Sequence, residues 1–235
     1  VYFNRDPLIV RLGKLAESGQ TGVLRVSGAV GGAFYLSEGD VLYAESKRTP
    51  EPSKWLVPPG GHPGEADAAR SLAWTFAVRE ATVDAALELL SGGSRHSPRH
   101  RFKELESPPG DRSSGMSFAA LHAEVTRRQE IVKQLSGSVT ADTTVVRNPR
   151  IEAPGLQVSA LQWALLIRMG DGSTPRDLAW ELDHSVFGTT VEVFRLISLR
   201  LLSVAGLAAS ETPRAADAPS GRRHDTMSFL RAVTQ

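Results

Sequence analysis

Six histidines, His62, His96, His100, His122, His184 and His224, are the side chains here best suited to metal ligation or to proton transfer near neutral pH. They are scattered. Only His96 and His100 stand close, and Pro98 between them breaks the helix on which their i, i+4 spacing would align. No carboxylate follows in a zinc-site pattern, and with no cysteine the chain has no thiolate ligand, disulfide or thiol nucleophile. Gly28-Ala29-Val30-Gly31-Gly32 has the composition of a phosphate-cradling loop, but such loops join a strand to a helix, and this one joins two predicted strands. There is no G-x-S-x-G elbow, and the acids, with Glu38 and Asp40 at a hairpin tip, form no acid–base pair. The expectation is a protein with no catalytic residue, cofactor or metal.

What remains is binding chemistry. Arg95-His96-Ser97-Pro98-Arg99-His100-Arg101-Phe102-Lys103 is the densest basic cluster. It reads as a solvated loop leading into a strand around Arg101 to Leu105. Its sharper reading is a site where Arg95, Arg99, Arg101 and Lys103 meet a phosphate, a nucleotide or an acidic partner surface. Tyr35 and Tyr43 are candidate partner contacts, with core packing as the other reading. A nucleic-acid reading would rest on Arg195 and Arg200 of a C-terminal helix together with Arg222 and Arg223. It is not favoured: residues 151–207 hold 4 bases against 6 acids, and a recognition helix needs a basic outer face.

The elements that position these residues are organised around Thr21 to Glu45. Val23 to Val26, Ala33 to Leu36 and Val41 to Ala44 are short strands separated by glycine-rich turns. Gly39 sits where a hairpin needs positive φ, and Gly28, Gly31 and Gly32 are expected to serve the earlier connection in the same way. Ahead of the ribbon, Pro7 opens a short amphipathic helix carrying Leu8, Leu12, Leu15 and Ala16, which ends before Gly19. Residues 46–64 form a proline-rich loop in which Trp55-Leu56-Val57 is a possible apolar anchor. From Glu65 to Leu90 neither Gly nor Pro occurs. Leu72, Phe76, Val83, Leu87 and Leu90 repeat at helical spacing, and Val78 and Leu89 extend the apolar surface around the helix.

A linker at 108–116 leads to a docking helix over 117–136, capped by Ser117, on which Glu124 and Arg128 are expected to pair on the exposed side. Residues 138–157 read as polar and irregular. Over 158–207 three short helices follow, with Thr174 or Ser173 capping the second and Pro175 at its first position. Residues 208–235 are a tail with Met227, Phe229, Leu230 and Val233 near its end. The resulting division is 1–107, 108–157, 158–207 and 208–235. The fold class is α+β: an antiparallel ribbon or sheet with packed helices, then a helical, degenerate winged-helix or helix-turn-helix-like part. There is no apolar run near 18 residues, so no membrane span is expected, and the cytoplasm is the default location.

The run Leu8 to Leu15, then Thr21-Gly22-Val23-Leu24, Phe34-Tyr35-Leu36-Ser37-Glu38-Gly39-Asp40-Val41 and Tyr43-Ala44-Glu45, resembles the PATAN (PatA N-terminal) domain of bacterial response regulators and other signalling proteins. The resemblance covers about residues 5–105 and departs from the usual pattern in the loop 46–64. The whole layout, with Arg127-Arg128 in a middle helix and Gly170-Asp171-Gly172 in the helical end, is similar to AmfC-like developmental regulators of filamentous actinobacteria. These resemblances imply a non-catalytic regulator acting on other regulatory proteins. A DNA-binding transcriptional regulator and a sensor of an anionic small molecule are the alternatives.

Overall fold

The computed structural model describes residues 6–52, 65–91, 99–106, 115–149 and 155–205, with side chains from Leu72 onward in the helix that starts at Glu65. Trp55-Leu56-Val57, Arg95 and the tail with Arg222 and Arg223 lie outside the described residues. The fold class is α+β, as the patterning predicts.

Helix α1, Pro7–Glu17, begins where its signals say: Asp6 accepts a hydrogen bond from the Leu8 amide and Pro7 opens the first turn. Its buried face carries Leu8, Ile9, Leu12 and Leu15. Strands β1 (Gly22–Val26), β2 (Gly32–Ser37), β3 (Asp40–Ser46) and β4 (His100–Glu104) form an antiparallel sheet in the order β3-β2-β1-β4. The β2–β3 hairpin turns through Glu38 at φ 51° and Gly39 at φ 87°, two consecutive positive values that a type I′ turn requires. Gly28 also has positive φ, at 127°, but Gly31 and Gly32 do not. Gly32 is needed for proximity instead: a Cβ there would stand 2.0 Å from the Glu45 carbonyl oxygen on β3.

Helix α2, Glu65–Ser91, lies along the β3 edge and is buried against both faces of the sheet. Val78 and Ala81 pack with Val23, Ala33, Tyr35 and Tyr43 on one face. Val83, Ala86, Leu87 and Leu90 join Leu24, Phe34, Leu36 and Ala44 on the other, where α1 and helix α3 (Phe118–Leu135) complete the main core. A helix that serves two faces is apolar on more than one side, which accounts for the extension by Val78 and Leu89. Leu72 and Phe76 do not share in the core: they are 58% and 62% exposed.

The second core joins α4 (Ala160–Arg168), α5 (Pro175–Glu181), α6 (Val186–Ser198) and a two-stranded ribbon of β5 (Val145–Arg147) and β6 (Leu202–Val204). Capping boxes start α4 at Ser159 with Gln162 and α5 at Thr174 with Asp177. The patterning differs from the structure at two points. Residues 139–147, expected to be irregular, place Val139 and Val145 at the centre of this core, where Val145 also bridges Ser173. Helix α6 ends at Ser198, so Arg200, expected on that helix, lies beyond it, and at φ 59° it turns the chain into β6. No helix among the described residues is long and apolar enough to cross a membrane.

The tight approach at Gly32 predicts that Gly32→Ala lowers the unfolding free energy by about 2–3 kcal/mol, because the obstructing atom belongs to the backbone of β3 and cannot rotate away. Denaturant titration of the two proteins measures it.

Candidate functional site

The sheet register turns the basic cluster into a surface. Arg101 and Lys103 stand on β4 directly opposite Arg25 and Val23 of β1. Residues opposite one another in an antiparallel pair share a face, and alternate residues of one strand do too, so Arg25, Arg101 and Lys103 project from the same side of the sheet. Arg99 precedes them in the same alternation, its carbonyl accepting from the Ser27 amide, and it too is exposed. Three of the four sequence candidates are thus brought together, and Arg25, distant in sequence, joins them.

Glu106 answers part of this charge. It pairs with Arg25 Nη2 and lies 3.2 Å from Lys103 Nζ, and the hydrogen bonds from Lys103 and Arg25 hold its carboxyl below the usual carboxylate range. Arg99 and Arg101 have no ion pair among the described residues.

Tyr35 and Tyr43 are opposite each other on that same face, but under α2 rather than in solvent. They are 5% and 2% exposed and stack with ring centroids 6.0 Å apart. Burial, with Glu45 beside it, pushes the Tyr35 hydroxyl up to about 12, so it stays protonated and donates to Glu45 Oε1 at 3.1 Å. Both rings are used in packing, which removes them as partner contacts.

A second cluster lies where the two cores meet. Asp84 of α2 is 2% exposed, and its Oδ2 and Oδ1 accept from the backbone amides of Val186 at 2.7 Å and Phe187 at 3.0 Å. A side chain from the sheet unit thereby supplies acceptors to the first turn of α6, alongside the α6 cap Ser185, which takes the Gly188 amide. Beside it, Arg128 of α3 donates to Glu80 Oε1 and Oε2 at 2.7 and 2.6 Å and to Glu124 at 2.8 Å. The guanidinium carbon lies 4.7 Å from the centre of the Phe187 ring, a cation–π contact. The Glu124–Arg128 pair therefore forms, but with Arg128 buried at 6% exposure. The neighbour that faces solvent is Arg127, which with Arg128 holds the Glu124 carboxyl down to about 2.

A third bridge is Arg176 of α5, which donates to the Arg48 carbonyl at 2.8 Å, to Asp142 at 2.7 Å and to Glu88 at 3.1 Å. Arg48 reaches Asp142 at 2.6 Å and stands 3.2 Å from Glu88, in ion-pair range although its Nε–H is not aimed at that oxygen. These groups rim a cleft of about 270 Å³ whose walls include Val30, Leu87, Val132 and Phe187. Its two arginines answer Glu88 and Asp142, and the third acid on its wall, Asp84, is taken up by the α6 amides, so the cleft leaves no free cation for an anionic ligand.

Of the candidate nucleic-acid contacts, Arg195 is paired with Glu192 three residues earlier, and Arg200 lies in the turn after α6, where its carbonyl accepts from Asn148. A recognition helix presents its N-terminal residues to base edges. The α6 N-terminus is instead held by Asp84. No grouping of three or more histidines or acids suited to a metal ion occurs among the described residues. Comparison with protein families, curated proteins and solved structures found no match to this chain.

Complete burial pushes the Asp84 carboxyl up to about 6, outweighing the two amides and nearby Arg128, which act in the opposite sense, while Glu80 adds to the rise. In the unfolded chain an aspartate ionises near pH 4 (roughly). Between about pH 4 and 6 the folded state therefore holds the extra proton, and the Asp84 contribution to stability falls as pH rises through that window, by about 3 kcal/mol for a shift of two units. Unfolding free energies of the wild type and Asp84→Asn, measured from about pH 4 to 6.5, should converge or cross by that amount; parallel curves would contradict the assignment. Glu124 titrates in both proteins and cancels.

Proposed function

We propose that this is a non-catalytic regulatory protein that acts by binding other regulatory proteins, in bacterial signalling or developmental control and in the cytoplasm, as the resemblance to PATAN domains and AmfC-like regulators implies. The observation that carries the reading is the sealed start of α6. In outline α5, its turn and α6 have the succession of a helix-turn-helix, yet the end that would read a groove is bound to Asp84 and packed beneath Arg128. The helical part is thereby used to hold the sheet unit, while the basic row on β1 and β4 is left facing solvent.

Affinity capture of the intact protein from its native lysate, with and without nuclease, tests the reading. A defined protein partner that survives nuclease is expected. Captured material that disappears with nuclease would overturn it and favour a DNA-binding regulator.

A further inference from the structure

The geometry points to β4 as a docking edge that takes an extended, acidic segment of a partner protein as a fifth strand. This rests on the partner-binding reading above and adds where the partner binds and what its chemistry is.

The first support is the state of the two sheet edges. On the β3 side the edge is occupied: Val41 exchanges two 2.9 Å backbone hydrogen bonds with Met116, and α2 packs along the strand. On the β4 side no strand pairs outward among the described residues. The phase of the free groups follows from two bonds. Ser27 donates to the Arg99 carbonyl and Leu105 donates to the Thr21 carbonyl, so the odd-numbered residues of β4 direct their backbone groups to β1. The amides and carbonyls of His100, Phe102 and Glu104 therefore point away from the sheet, each with one donor and one acceptor to offer.

The second support is charge. Arg101 stands directly opposite Arg25, a like-charge placement that costs stability in a sheet, and Glu106 neutralises Arg25 but not Arg101. A carboxylate arriving over this face relieves that cost. In an antiparallel fifth strand, the residues opposite Arg101 and Lys103 belong to non-hydrogen-bonded pairs, with side chains closest and on the basic face. The fitting segment thus carries acids at alternate positions, and the residues between them make the backbone bonds. Its mode is strand addition, with main-chain bonds supplying affinity and alternate side chains supplying specificity.

The same charges decide against a second copy of this chain. Two β4 edges brought together would set basic rows against one another, the device by which proteins keep sheet edges from pairing with themselves. A nucleic-acid backbone would satisfy the arginines but leave the outward backbone groups of the strand unmatched.

The test uses a fluorescent ten-residue peptide alternating glutamate and threonine, its lysine counterpart, and two N-methylated forms of the glutamate peptide, titrated into the full chain and followed by anisotropy. Methylation at the threonines blocks the amides that would face β4, whereas methylation at the glutamates touches only those facing away. The glutamate peptide should bind and the lysine peptide should not. Threonine methylation should weaken binding about tenfold or more, glutamate methylation should be tolerated, and Arg101→Glu should weaken binding about tenfold. Hydrogen exchange at His100, Phe102 and Glu104 should slow in the complex. Equal effects of the two methylations, absence of binding, or displacement of the peptide by duplex DNA at lower concentration would overturn the inference. If Arg101→Glu protein still captures its nuclease-resistant partner from lysate, this edge is refuted while the partner-binding reading stands.

Discussion

The rest of the structure depends on a carboxylate that has been taken out of water. Burying an ionised group costs several kcal/mol, and Asp84 recovers part of it from two charge-assisted bonds to the α6 amides, each contributing about 1.5–3 kcal/mol, and from the nearby Arg128. Burial outweighs these contributions, which is why its proton is held to a higher pH than usual. The consequence is mutual dependence: α6 cannot leave without stranding Asp84 in an apolar site, and Asp84 cannot remain buried without α6.

That dependence couples two cores that also meet through the packing of Phe187 against the sheet-side core and through ion pairs at its margin. Arg128 adds to it by facing both ways, with Glu80 and Glu124 at its nitrogens and the Phe187 ring against its plane. Arg176 and Arg48 bridge a second place, but partly in solvent, where ion pairs are worth about 1 kcal/mol or less. Among the polar contacts, the buried cluster therefore dominates the junction. Because α2 carries Asp84 and also covers β3 on both faces, one helix sets the position of the helical part and closes one sheet edge. At the opposite edge, β4, no further strand pairs among the described residues.

Much of the fold was legible because its signals are local. Pro7, Ser117, Thr174 and Gly39 act within one turn of chain, and each does what its spacing predicts. The three-residue strand β5 is too short to show a period, and so 139–147 reads as linker although Val145 is fully buried. Arg25 was not legible as part of the basic row, since it joins Arg101 only through strand register. Arg128 reads as the exposed partner of Glu124, and only the arrival of α2 and Phe187 makes it the centre of a buried ion cluster. Asp84 gives no local signal at all: in sequence it is an acid on a long helix, and its partners lie about one hundred residues away.

Native-state hydrogen exchange at the Val186 and Phe187 amides tests most directly the claim that the two cores form one body sealed at this junction. These amides should exchange only through global unfolding, with the same free energy as the amide of Phe34 in the centre of the sheet. Exchange through a much lower-energy opening, with Phe34 still protected, would show that α6 swings free of Asp84, and would contradict the account.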